Sequence, residues 1–266
     1  MASASEVICA ILQIVSKNVF VASYLRLASG TVKYKISPVA RGWMSAHGRP
    51  TVTAGPGIGT GDVLVVVDVQ NDFCPGGRLA VPKGDEVVPL INRLARRFSH
   101  VVLTQDWHPD RHHSFASTHQ GKKPFDVVPL SYGPQVLWPD HCIQGSPGAE
   151  FHRHLQIPHA QLVLRKGYRL NIDSYSAFYE NDHKTVTGLA GYLRHRELKR
   201  VVLAGLAFDF CVRYSAEDAC RDGFQVVVVE DACRGIDVDS SMDHTRASFA
   251  RSGIQLVTAD ALLSPS

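Results

Sequence analysis

A chain of 266 residues that is 45% hydrophobic and 20% charged carries too much core material for an intrinsically disordered protein. Its formal net charge of +3 excludes the strongly basic surface of a protein held to nucleic acid by phosphate contacts. The six cysteines, at 9, 74, 142, 211, 220 and 233, form neither a zinc-ribbon spacing nor a dense disulfide framework, so a reducing, cytoplasmic setting is expected.

The first 61 residues stand apart. From Val7 to Gly61 there is no acid, against Lys17, Arg26, Lys33, Lys35, Arg41 and Arg49; setting these and Glu6 aside leaves 22 basic and 24 acidic residues. Three readings compete: a leader upstream of the true start, with Met44 a later initiator; an acid-poor organelle transit segment; or a membrane anchor. The apolar run Ile8 to Leu27 is interrupted by Gln13, Ser16, Lys17 and Asn18, which disfavours a spanning helix, and the misplaced start is preferred. Residues 1–61 are thus expected to be a non-catalytic extension and 62–266 the catalytic domain. Its glycine-rich end, Gly55 to Gly61, precedes the first strand instead of following one, so it reads as a flexible linker and not a dinucleotide fingerprint.

Beyond it, apolar strand patterns alternate with helical ones: strand 63–68, helix near 85–98, strands 100–104 and 161–166, helix near 184–196, strand 200–204, helix 211–222, strand 225–230, helix near 240–252 and strand 254–257. This order predicts an α/β fold of three layers, a parallel sheet of about six strands with helices on both faces, because each parallel crossover needs a helix. The stretch from Pro109 to Ala160 reads as loop, rich in proline and histidine, and loops that long are usually functional.

Three strand ends carry chemistry. The runs Val63–Val67, Gln161–Arg165 and Val201–Ala204 lead into Asp68, Lys166 and Cys211, and the carboxyl edge of an open parallel sheet is where ligands bind. Cys211 falls where a helix begins, a position that favours thiolate; a buried cysteine acting as a small hydrophobe is the alternative. Asp106 and His108 alternate after the 100–104 strand and so project to one side; with His141 they make a donor set for a divalent transition metal. Cys142, next to His141, points the other way on an extended loop and is left out.

The segments Asp68-Val-Gln-Asn-Asp-Phe-Cys-Pro-Gly-Gly77, Gln105-Asp-Trp-His-Pro109, Ser114-Phe-Ala-Ser117, Trp138-Pro-Asp-His-Cys142, Asp173-Ser-Tyr-Ser-Ala-Phe178 and Asp231-Ala-Cys-Arg-Gly235 occur in this order over some two hundred residues. The chain from about 62 to 263 resembles the nicotinamidase/pyrazinamidase family of isochorismatase-like cysteine hydrolases. The resemblance implies a catalytic triad of Asp68, Lys166 and Cys211. It implies one zinc, iron or manganese ion on Asp106, His108 and His141, with Ser114 as a further contact through water. It also implies a cis peptide between Leu206 and Ala207, an oxyanion hole from the N–H groups of Ala207 and Cys211, and ring contacts from Phe73, Trp138 and Tyr175. Phe208 departs from the pattern, since relatives carry threonine there; it either reshapes the pocket wall or packs beneath it.

The implied activity is hydrolysis of nicotinamide to nicotinate and ammonia in NAD salvage, with pyrazinamide also deamidated. Alternatives are an amidase for another small amide, such as an N-carbamoyl compound, and a metal-binding protein of the same fold without catalysis. The expected partner is the small-molecule substrate, with no nucleic acid and no membrane; a homo-oligomer is left open.

Overall fold

The computed structural model describes residues 57–264. The leader, transit and anchor readings of residues 1–56, with Cys9 and Met44, lie outside the described residues, as do 265 and 266. What is described of the glycine run is held in place: the Gly57 carbonyl accepts from the Arg200 guanidinium at 2.7 Å, and the Gly59 N–H bonds Asp62 at 2.6 Å.

Strands β1 (Asp62–Val67), β2 (Val101–Asp106), β5 (Leu162–Lys166), β6 (Arg200–Leu206), β7 (Gln225–Arg234) and β8 (Gln255–Val257) form one parallel sheet in the order β5-β2-β1-β6-β7-β8. The expected sheet of six strands is therefore present. Helix α1 (Val87–Ala95) follows β1, α2 (Leu189–His195) follows β5, α3 (Arg213–Arg221) follows β6, α4 (Ser241–Ser252) follows β7 and α5 (Ala259–Leu263) follows β8.

Successive side chains on a strand face opposite ways, and β1 shows why both sheet faces are covered. Leu64 and Val66 enter one buried cluster with Val87, Ile91 and Leu94 of α1 and Leu262 of α5. Val63, Val65 and Val67 enter another with Leu189 and Leu193 of α2, Ala216 and Ala219 of α3 and Phe249 of α4. Each fully buried valine or leucine contributes on the order of 2 kcal/mol of transfer free energy, so a strand apolar at every residue from Val63 to Val67 is stable only between two helix layers.

Two expectations need correction. The 109–160 stretch is not all loop, for Val127–Leu130 (β3) and Gly133–Val136 (β4) pair as an antiparallel hairpin. Helix α2 starts at Leu189 instead of 184, because Asp182 accepts the N–H groups of Lys184 and Thr185 in a turn before it.

Candidate active site

The site is assembled at the carboxyl ends of β1, β2, β5 and β6. β1 ends in Asp68, whose φ of 47° turns the chain out of the sheet, a backbone region that aspartate enters more readily than most residues. The neighbouring strand holds it there, since Thr104 Oγ1 donates to Asp68 Oδ1 at 2.6 Å and accepts the Asp68 N–H at 3.1 Å. β6 ends in a cis peptide at Leu206–Ala207, as the resemblance implied, and a π-helical turn over Phe208–Val212 then presents Cys211 before α3.

Lys166, the last residue of β5, joins these ends. Its Nζ is 2.7 Å from Asp68 Oδ2 and 3.4 Å from Cys211 Sγ, bonds the Ser174 carbonyl at 3.0 Å, and pairs closely with Asp106 Oδ1. All four of these side chains, Asp68, Asp106, Lys166 and Cys211, are buried. Burial pulls the lysine down, but the two carboxylates outweigh it and hold the ammonium well above its usual range. For Asp106, burial pushes up while Lys166 and then His108 push down further, and the net result lies well below the carboxylate range. Burial dominates at Asp68 and raises it, against the pull of Lys166.

The helix start is not the only influence on the Cys211 thiol. Burial raises Cys211 well above a free thiol; Lys166 opposes this, while Asp68 and Asp106 add to the rise. The start of a helix contributes less than a desolvated site between two carboxylates. Cys211 Sγ, an Asp68 oxygen and an Asp106 oxygen lie within 4.8 Å of one another.

On the far side of Asp106, His108 Nε2 and His141 Nε2 lie 3.5 and 3.7 Å from Oδ2. The opposite ring nitrogens donate to carbonyls, His108 Nδ1 to Gly167 at 2.9 Å and His141 Nδ1 to Pro139 at 2.7 Å. Those bonds fix the tautomers so that two nitrogen lone pairs face one carboxylate oxygen, a repulsive arrangement that a cation reconciles; the donor set fits a divalent metal ion. Burial lowers His108, yet Asp106 more than offsets it, so the imidazole attracts a proton where a cation would sit. Gly167 has a φ of 65°, and a Cβ there would lie 2.8 Å from His108 Nδ1, so only glycine lets β5 pass this ring.

Ser114 is buried close by, with Oγ 2.7 Å from Nδ1 of His112. His112, which the sequence analysis did not single out, bonds the Arg169 carbonyl through Nε2 at 2.8 Å and has its ring centroid 4.5 Å from that of His108. In that tautomer the Ser114 hydroxyl donates to His112 and keeps its lone pairs for another partner. Cys142 packs into the core, and its N–H donates to Asp72 at 2.7 Å.

A small cavity opens onto Cys211. Phe73, Trp138 and Tyr175 line it, together with Leu79, Phe210, Ile236 and Asp173. Trp138 meets Phe210 edge-on with centroids 4.9 Å apart, so aromatic rings pack against one another in its wall. Phe208 is not in this wall; it is buried in the opposite core against Phe249, centroids 5.8 Å apart. The unexpected hairpin supplies Gln135, whose Nε2 lies 2.9 Å from both Tyr175 Oη and Asp173 Oδ2, while Trp138 Nε1 donates to Tyr175 Oη at 3.1 Å.

The isochorismatase domain model matches residues 62–261. The chain belongs to the isochorismatase family. Within this family it is 52% identical over 200 residues to a nicotinamidase of Acinetobacter baylyi, covering 75% of this chain and 94% of that protein. Among solved structures, a nicotinamidase/pyrazinamidase of Acinetobacter baumanii superposes with a TM-score of 0.76 at 53% identity, covering 77% of this chain and 99% of the other. A pyrazinamidase of Pyrococcus horikoshii in complex with zinc does so with a TM-score of 0.61 at 34% identity, over 74% and 98%. These isochorismatase-family neighbours share the six-stranded parallel architecture.

Proposed function

We propose that this chain is a nicotinamidase that converts nicotinamide and water to nicotinate and ammonia in the cytoplasm, as a step of NAD salvage, and that it also deamidates pyrazinamide. The observation that carries the reading is one buried ammonium, Lys166, touching Asp68, Asp106 and Cys211 beside a cavity lined by aromatic residues. The names of its relatives supply the substrate class.

With the pyridine ring between Trp138 and Phe73, the carboxamide carbon faces Cys211. Asp68 takes the thiol proton as Sγ forms its bond to that carbon, and the carbonyl electron pair moves onto oxygen, which the N–H groups of Ala207 and Cys211 hold. The carbon–nitrogen bond then breaks, with Asp68 returning the proton so that ammonia leaves and a thioester remains. Asp68 next removes a proton from water as it attacks the thioester; the carbon–sulfur bond breaks, and the proton returns to Sγ. The raised proton affinity of Asp68 suits a group that takes and gives a proton in turn. Asp106, His108 and His141 would hold one zinc, iron or manganese ion, with Ser114 in contact through water, and the bound ion supplies a Lewis-acidic anchor for the ring nitrogen.

Ammonia release over nicotinamide, pyrazinamide and an N-carbamoyl amide tests the proposal. Turnover of the first two is expected. Turnover of the N-carbamoyl compound alone would favour the related amidase, and no release from any would favour the non-catalytic reading.

A further inference from the structure

β1 stops pairing with β2 at Val66–Leu103, yet β2 continues for three residues to Asp106. On its outer side this extension pairs with β5, and the Trp107 N–H donates to the Lys166 carbonyl at 2.9 Å. The N–H and C=O of one strand residue point to the same neighbour, so those of Asp106 point to the side where β1 has already turned away. Both would be buried without partners, at a cost of about 1–3 kcal/mol each.

The side chain of Gln70, fully buried, fills that place. Its Oε1 accepts the Asp106 N–H at 2.8 Å, and its Nε2 donates to the Asp106 carbonyl at 2.9 Å and to the Ala149 carbonyl at 2.9 Å. One carboxamide thus acts as a one-residue strand. Its orientation is set by chemistry, since an N–H must meet the oxygen and a carbonyl the nitrogen. The Ala149 carbonyl has a second donor in Gln105 Nε2 at 2.8 Å; Asp106 has Gln70 in this role.

We infer that Gln70 is a positioning residue of the catalytic centre, whose carboxamide replaces the missing strand and fixes the Asp106 backbone so that one carboxylate oxygen meets Lys166 while the other faces His108 and His141. The inference rests on the reading of Asp106 as a metal ligand. Gln70→Glu keeps the shape and removes both amide protons. Gln105→Met removes the shared bond to Ala149 and a bond from Arg165 Nε at 3.1 Å, without touching the Asp106 backbone.

Zinc affinity, measured by competition with a chromogenic chelator, and the visible spectrum of the cobalt-loaded protein are read on variants whose circular dichroism matches wild type. Gln70→Glu should bind zinc about 10–100-fold more weakly, the range for losing an outer partner of a ligand, and its cobbalt spectrum should change. Gln105→Met should leave both readouts at wild-type values. Should Gln70→Glu fail to fold, Gln70→Met, which adds no charge, carries the same expectations. Folded Gln70 variants with zinc affinity within about twofold of wild type would overturn the inference. Asp106→Asn separates the two levels: if it binds zinc as tightly as wild type, the metal reading itself fails, whereas loss in Asp106→Asn with retention in the Gln70 variants removes only the role of Gln70.

Discussion

Replacing Lys166 by methionine keeps most of the side-chain volume and removes a buried cation from between two buried carboxylates. Taking one partner from a buried ion pair typically costs about 3–5 kcal/mol, because the remaining charge is left uncompensated. For a domain of this size each kcal/mol shifts Tm by about 2–4 °C, so a fall of roughly 6–20 °C is expected at neutral pH. The pH dependence has a definite sign. Burial already raises Asp68 and Lys166 is the chief force against it, so in the variant the carboxyl rises further. An acid whose folded pKa exceeds its unfolded value destabilises the fold as pH climbs past the unfolded value, with the full penalty above the folded one. The deficit should therefore be smallest near about pH 4 and grow toward about pH 8. Calorimetric melts of both proteins across that range measure it, and ammonia release in parallel should fall by roughly 100-fold or more. A variant melting within about 2 °C of wild type throughout, or a deficit largest in acid, would refute the claim that Lys166 neutralises both carboxylates.

Cys211→Ala should abolish turnover while circular dichroism and zinc content stay at wild-type values, whereas Cys220→Ala, whose half-buried thiol meets the Ser252 carbonyl at 3.4 Å and packs at the edge of the core, should keep most activity; equal behaviour of the two would dismiss Cys211 as nucleophile. Benzamide has the carboxamide but no ring nitrogen, so it should be much the poorer substrate, and chelation or His108→Ala should erase nicotinamide turnover and narrow the gap; equal rates in zinc-loaded enzyme would sink ring anchoring. Gln135→Leu should raise KM for nicotinamide more than it lowers kcat, since Gln135 braces Tyr175 and not the reacting atoms; an unchanged KM would show the wall needs no brace. A chain beginning at Gly57, which retains the bond to Arg200, should stay folded and fully active; loss of ammonia release would give residues 1–56 a share in the catalytic domain.

The strands of the large sheet were legible because burial on both faces writes itself as unbroken runs such as Val63–Val67 and Val201–Leu203. The hairpin was not. Pro129 and Pro134 face each other in its register and Val127 is exposed, so neither alternation nor β-propensity marks it. In the site, Asp68, Lys166 and Cys211 were legible as chemistry at strand ends, and Asp106, His108 and His141 as a metal-like donor set. Thr104, Gln135 and His112 were not, because a buried polar residue is defined by its partner. For Thr104 that partner, Asp68, is 36 residues away, and no local pattern records the pairing.

The strand order also decides which parts of the site move. β1 and β6 are the two central strands, bonded on both edges and covered on both faces. Their amides should exchange with deuterium only on global opening; Asp68 follows the end of β1 directly, and Cys211 lies in the turn after β6. Tyr175 in the aromatic wall is instead braced by Gln135 of the two-stranded hairpin, and so small an element belongs toward the low-stability end of an exchange profile. Amide exchange should therefore be faster at Gln135 than in β1 and β6.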